Sequence, residues 1–268
     1  MCQDNEIRTK EAVTRQVQEG FGMNAHAYVT SALHQSGSDL ADMIANLHLQ
    51  PEEVALDIAT GGGHVANALA PHVRQVIALD LTRPMLEAAR TYAQTLGLDS
   101  ILYLVGDAED LPFADASFDL VTCRIAAHHF PHPSQFVREA VRVLKPGGRF
   151  ALTDNVSPED LVAAEFFNAV ERLRDVSHVW CPPISQWRAW LADAGLKELW
   201  NNTQCKTYRY REWVARTAHR TEQRDAVEKC LLEATPDLVR AFHIEKRDGR
   251  IEAFTGSQWS VICVKAMP

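Results

Sequence analysis

The chain has 268 residues, 46% of them hydrophobic and 23% charged, with a formal net charge of -8. That balance fits a globular protein with a full core, and the negative charge with scattered Lys and Arg residues argues against the large basic face of a nucleic-acid binder. The opening MCQDNEIRTK is polar and no apolar run approaches the ~20 residues of a membrane span, so a cytoplasmic protein without membrane insertion is expected.

Residues 1–50 read as an N-terminal helical cap, with Leu40, Met43, Ile44 and Leu47 spaced as one buried stripe. EVALDIAT is a strand-like run ending in Gly61-Gly62-Gly63, and HVANALAPHV after it reads as a helix. QVIALDLT gives a second strand, and RPMLEAARTYAQTLG a helix with Pro84 in its first turn, where a missing N–H has no helical partner to lose. ILYLVGD and FDLVTCR are the third and fourth strands. PSQFVREAVRVLKPGG then places Phe136, Val137, Ala140, Val141 and Leu144 on one helical face, stopped by Pro146 and the glycines, and RFALTDN is the fifth strand. Beyond it, PEDLVAAEFFNAVERLRD and SQWRAWLADAGL read as helices, and KELWNNTQCKTYRY as a strand. REWVARTAHRTEQRDAVEKCLLEATPDLVRAF is mostly helix, and RIEAFTGSQWSVICVKA a closing β pair. The six cysteines, Cys2, Cys123, Cys181, Cys205, Cys230 and Cys263, stand far apart with no CxxC, which argues against a disulfide framework or structural zinc.

Continuously apolar strands separated by amphipathic helices predict an α/β fold with a parallel sheet covered on both faces. Ligands of such sheets sit beyond the carboxyl ends of the strands, at the switch in strand order. That rule selects Asp57 to Gly63, Asp80, Asp107, Arg124 to His129 and Asp154-Asn155. Gly61-Gly62-Gly63-His64-Val65-Ala66 satisfies the dinucleotide pattern G-x-G-x-x-G/A, and Asp80 stands where a ribose-binding acid belongs, so an NAD-dependent oxidoreductase is one reading. Asp57, just before the glycine loop, would repel a pyrophosphate that prefers bare N–H groups. A phosphate-free ligand with a cationic end tolerates it. S-adenosylmethionine is such a ligand: Asp57 can serve its methionine end, Asp80 its ribose hydroxyls, and Asp107 its adenine amino group, with Ala108 offering a backbone N–H. The glycines let the backbone approach closely. A non-catalytic protein keeping this cofactor site is the remaining alternative.

LDIATGGGH, ALDLTRPML, GDAEDLPFADASFDLV and RVLKPGGRFALTD together resemble class I S-adenosylmethionine-dependent methyltransferases, in the small-molecule branch around the ubiquinone and menaquinone biosynthesis enzymes. The resemblance covers Val54 to Asn155. It implies a doubly wound, Rossmann-like seven-stranded sheet, mostly parallel with an antiparallel last strand, over residues 51–268, with helical lid insertions near 157–185 and 208–248. It also implies cofactor contacts at Asp57, Ala59, Gly61, Gly63, Asp80, Leu81, Asp107, Ala108 and Arg124. A cap closing over the methionine end makes Phe21 to Tyr28 a further candidate stretch, Tyr28 included. The implied partner is a small molecule, with no nucleic acid and with a homodimer left open.

RIAAHHFPH, from Arg124 to His132, carries three histidines in five residues. His128 and His132 have the i, i+4 spacing of a metal-binding helix. Pro131 and Pro133 oppose a regular helix there, and neither Cys nor acid stands beside them, so no metal site is expected. His132, between prolines, should face outward. His128 and His129 follow the fourth strand, where the resemblance places substrate contacts. One of them is the candidate base that deprotonates or orients the acceptor. Arg124 and Asn155 would help to hold it, and His178 and Trp180 would approach from the lid. Glu109, Asp110 and Asp115 read as a solvated loop, and Trp187 and Trp190 as packing residues.

Overall fold

The computed structural model describes residues 9–29 and 38–267, the side chains of residues 21–29 excepted. Helix α1 (Lys10–Val29) and helix α2 (Ser38–Asn46) precede the sheet. The sheet begins with β1 (Val54–Ile58), β2 (Gln75–Asp80), β3 (Ile101–Val105), β4 (Phe118–Arg124) and β5 (Leu144–Val156). Between them run α3 (His64–Leu69), α4 (Arg83–Thr95) and α5 (Pro133–Val143). These five strands are parallel in the order 3-2-1-4-5, so the order reverses between β1 and β4.

Alternation along each strand sends its two sets of side chains into two cores. Leu56, Ile58, Val121, Phe150 and Leu152 meet Phe136, Val137 and Ala140 of α5 on one face. Ala55, Val76, Leu120 and Ala151 meet Leu40 and Met43 of α2 and Val65 and Leu69 of α3 on the other. The predicted stripe of α2 is therefore a core stripe. Burial of this kind contributes roughly 25 cal/mol per Å² of apolar surface and dominates the stability of the sheet.

After β5 come α6 (Leu161–Arg174), α7 (Ile184–Asp193), β6 (Leu196–Arg209), α8 (Tyr210–Val214), α9 (Thr221–Leu232), α10 (Pro236–Ala241), β7 (Glu245–Arg247) and β8 (Arg250–Lys265). Strand β8 lies between β5 and β6 and is antiparallel to both, which gives the seven-strand path 3-2-1-4-5-8-6 with its last strand reversed. The short β7 pairs with β8 as an eighth strand. RIEAFTGSQWSVICVKA is one 16-residue strand and not the expected pair. Its Gly256 makes no turn, because a Cβ there would stand 2.9 Å from the Tyr208 ring: the glycine lets that ring lie against the strand. The turn sits upstream at Asp248-Gly249, both with positive φ, and joins β7 to β8.

Two boundaries also move. Leu144 opens β5 instead of closing the α5 face, and the KPGG segment is carried in the bulged start of that strand. Helix α3 stops at Leu69, before Pro71, and is shorter than HVANALAPHV suggested. A third core gathers Phe167 and Val170 of α6, Trp213 of α8 and Leu231 of α9 around Tyr208 and Phe254, where β6 and β8 extend past the parallel strands. Cys123, Cys181, Cys205, Cys230 and Cys263 are free, and Cys2 lies outside the described residues.

Candidate active site

The carboxyl ends of β1, β2 and β4 open into a cleft of about 1150 Å³, counting the space at its mouth. Asp57, at the end of β1, is 1% exposed. Its carboxylate accepts hydrogen bonds from the Thr60 hydroxyl at 2.5 Å and the Thr122 hydroxyl at 2.8 Å. Burial outweighs those bonds and pushes its pKa up to about 6. The loop that follows turns through Ala59 and Gly61, both with positive φ, and both line the cleft. Gly63 does not line it: with φ +79° it starts α3, and a Cβ there would stand 3.1 Å from the Ala89 Cβ, so this glycine serves the packing of α3 on α4.

Asp80, at the end of β2, accepts from the Gly61 N–H at 2.9 Å and the Thr82 N–H at 2.8 Å. Its burial raises its pKa despite these donors. The carboxylate thus ties the glycine loop to the start of α4 and still lines the cleft beside Leu81. Asp107 and Ala108 form the wall beyond β3.

Helix α1 supplies a wall that no motif announced. Lys10, Val13, Thr14 and Val17 line the cleft, and the Gln18 amide donates to the Leu81 carbonyl at 3.2 Å. Lys10 bridges Asp107 at 2.8 Å and Glu109 at 3.0 Å. Glu109 is therefore no solvated loop residue. It is 3% exposed and accepts from the His132 N–H at 2.5 Å, because the turn after β4 folds over it. Tyr28 lies in α1, and its side chain is outside the described residues.

The three histidines separate. His132 has a side chain 62% exposed, with Nδ1 at 3.1 Å from Glu109. His129 lines the cleft together with Arg124, Ile125 and Phe130. His128 lies one layer behind, its ring centroid 4.1 Å from that of His129. Its Nδ1 is 2.6 Å from an Asp154 oxygen, and its N–H donates to the other at 3.0 Å. Burial works against a charged imidazole here, and the Asp154 carboxylate outweighs it, so the His128 pKa is raised. His129 goes the other way: burial first, then the neighbouring His128, lower its pKa to about 4.

Arg124 also lines the cleft, with its Nε held at 2.6 Å by Asp39 of α2. The segment after α6 docks onto the histidine turn, since the Val179 and Trp180 N–H groups both donate to the His128 carbonyl. His178 is buried with Nε2 at 2.9 Å from the Asn168 side chain, and Asn155 accepts from the Tyr208 hydroxyl at 3.3 Å. Asn155, His178 and Trp180, expected in the substrate pocket, are not among the described residues lining the cleft. Trp187 is fully buried in the core beneath α7, with Trp190 against its edge. No group of three or more His, Cys, Asp or Glu among the described residues is placed to hold a metal ion, and no helix among them is long and apolar enough to cross a membrane.

Residues 56–152 match the family model described as a methyltransferase domain. The chain is 45% identical over 169 residues to the uncharacterized methyltransferase YcgJ of Bacillus subtilis, covering 63% of this chain and 67% of that protein. The crystal structure of YcgJ superimposes with a TM-score of 0.84, covering 87% of this chain and all of that one at 34% identity. The 27-O-demethylrifamycin SV methyltransferase of Amycolatopsis mediterranei is 32% identical over 176 residues, 63% of each chain. The demethylmenaquinone methyltransferase of Deinococcus radiodurans is 42% identical over 121 residues, 44% of this chain and 48% of that protein.

Proposed function

The chain belongs to the family of S-adenosylmethionine-dependent methyltransferases, and from that premise we propose that the cleft holds S-adenosylmethionine while His129 receives the proton given up by a small-molecule acceptor. The observation that carries this reading is the convergence of Asp57, Asp80 and Asp107 on one cleft with His129 in its wall. The residues fit the ligand. Asp57 lies buried under the glycine loop, where it opposes a pyrophosphate and suits a cationic methionine end. Asp80 has lone pairs left after its two backbone bonds and can accept from ribose hydroxyls. Ala108 offers the N–H and Asp107 the acceptor for an adenine edge. When bound, S-adenosylmethionine supplies a methyl group already activated by a sulfonium.

The protein's tasks are then to place the acceptor, exclude water and take a proton. Placement can supply up to ~7–11 kcal/mol in favourable intramolecular models, and a general base adds about 10²–10⁴-fold. His129 is neutral at physiological pH and lines the cleft, so it is the base, with His128 behind it, its pKa raised by Asp154. Residues 1–50 serve as the cap, with α1 as its working part, and the segments near 157–185 and 208–248 serve as the lid. The relatives named for a rifamycin and a demethylmenaquinone support a small organic acceptor. The net charge of -8 and the free cysteines support a cytoplasmic enzyme without a nucleic-acid partner.

Calorimetric titration with S-adenosylmethionine, S-adenosylhomocysteine and NAD tests the cofactor, and tighter binding of NAD would overturn the assignment. An acceptor screen that follows S-adenosylhomocysteine release tests the base. The His129→Gln variant should lose about 10²–10⁴-fold in turnover with cofactor affinity unchanged. Full turnover in that variant from about pH 5 to 9 removes the base role.

A further inference from the structure

Two adjacent histidines meet their carboxylates in different ways. His128 touches Asp154 directly. His129 is linked to a carboxylate through Ser177, in the segment where the chain leaves α6 and folds back under the cleft. Asp175 accepts from both the Ser177 N–H at 2.9 Å and the Ser177 hydroxyl at 2.5 Å. Its own N–H donates to the Glu171 carbonyl at 2.8 Å, which fixes it to the last turn of α6. Ser177 is 2% exposed, and presents its carbonyl at 3.1 Å and its Oγ at 3.2 Å to His129 Nδ1.

The proton positions follow from chemistry. A carbonyl oxygen can only accept, so the Ser177 carbonyl favours a hydrogen on Nδ1, whereas a hydroxyl free to donate would favour a lone pair there. The Ser177 hydroxyl spends its hydrogen on Asp175, so its oxygen accepts from the same Nδ1–H. A neutral imidazole with hydrogen on Nδ1 has its lone pair on Nε2. We infer that Asp175 and Ser177 are positioning residues that fix His129 as the Nδ1–H tautomer and so make Nε2 the basic atom of the cleft. The use of that atom rests on the reading of His129 as the base; the tautomer does not.

The arrangement also separates orientation from charge. The charged and titratable groups around His129 are His128, His178, Asp154 and Asp175. A carboxylate in direct contact raises the pKa of His128, whereas one set back behind a serine orients His129 while its pKa stays low. When Nε2 takes the acceptor's proton, the acceptor loses an O–H, N–H or C–H bond and Nε2 gains an N–H bond. The Nδ1 hydrogen stays in place, and the new positive charge faces Asp175 through the polarised hydroxyl.

Long-range ¹⁵N–¹H correlation spectra of the histidine rings in the intact protein test this without any acceptor. Wild-type His129 should show the Nδ1–H tautomer alone. Asp175→Ala, which frees Ser177, should show a mixture with the Nε2–H form, and with an acceptor its turnover should fall at least about tenfold at unchanged cofactor affinity. Asp175→Asn, which keeps an acceptor oxygen for Ser177, should restore the tautomer and lower the pH midpoint of the His129 ring. A pure Nδ1–H tautomer in folded Asp175→Ala overturns the inference. If the alanine variant does not fold, an unchanged midpoint in Asp175→Asn overturns it. A tautomer shift in Asp175→Ala beside full activity in His129→Gln would support the positioning and refute the base.

Discussion

Asp57→Asn should make the protein more stable at neutral pH while weakening its hold on the cofactor. The Asp57 carboxyl is 1% exposed, with two hydroxyl donors and a pKa moved from 3.8 to about 6 by burial. The folded state therefore binds its proton more tightly than the unfolded chain does. Stability from this group is complete below about pH 4 and is lost as the pH rises through about 6. At about 1.4 kcal/mol per unit, the change between roughly pH 4.5 and 7.5 comes to about 2 kcal/mol. Asparagine has the shape of the protonated acid, and its amide can donate to one threonine hydroxyl while its oxygen accepts from the other. Urea unfolding of both proteins across that range cancels the titration of every other carboxyl. The asparagine variant should match the wild type near the acid end and exceed it by about 2 kcal/mol at the neutral end. A difference that stays constant with pH would show that the Asp57 carboxylate carries no burial penalty, and the account of that loop would be wrong.

Asp80→Ala leaves the Gly61 and Thr82 N–H groups without their acceptor, and hydrogen bonds to a charged group are worth about 1.5–3 kcal/mol. Calorimetry with S-adenosylhomocysteine should show affinity falling by roughly 10–100-fold, and an unchanged value would detach Asp80 from the cofactor. Gly63→Ala places a Cβ in a left-handed conformation 3.1 Å from Ala89, so thermal unfolding should report a loss of about 1–2 kcal/mol or more. Lys10→Ala removes the bridge to Asp107 and to the buried Glu109, which should speed cofactor release in stopped-flow fluorescence. Asp154→Asn should destabilise most at acid pH. His128 has a raised pKa in the fold, so the gap between variant and wild type should narrow as the pH climbs past the ordinary histidine range; a gap that widens instead contradicts the raised pKa.

The half of the site built from strand ends was legible because a carboxylate closing an apolar strand needs a reason to be there. Asp57, Asp80, Asp107 and the glycine loop announce themselves by position within EVALDIAT, QVIALDLT and ILYLVGD. The reversed last strand followed from the resemblance, while the turn that joins it to β7 is carried by the Asp248-Gly249 pair. What stayed hidden depends on contacts between distant segments. Nothing in KEAVTRQVQ distinguishes a helix roofing a cleft from one packed elsewhere, since Val13 and Val17 make an ordinary apolar stripe. Glu109 looks solvated in GDAEDLPF because its burial is created by the His132 turn and Lys10. Asp154 and Asp175 reach the histidines across 26 and about 46 residues of chain, the second through Ser177, and no local pattern encodes such a meeting. RDVSH reads as a polar loop until His129 is beside it.

The placement of β8 has a consequence for assembly. Residues 250–265 follow every other strand in the chain, yet they occupy an interior lane, bonded on one side to β5 and on the other to β6. During synthesis, β1 to β5 can pair among themselves as soon as they emerge, whereas β6 has no neighbour until that final stretch arrives. The nascent protein therefore carries two open edges, Leu144–Val156 and Leu196–Arg209, for as long as translation of the intervening helices lasts. Open edges recruit foreign strands. Strand β8 thus covers the open side of β5 and gives β6 its partner in one step.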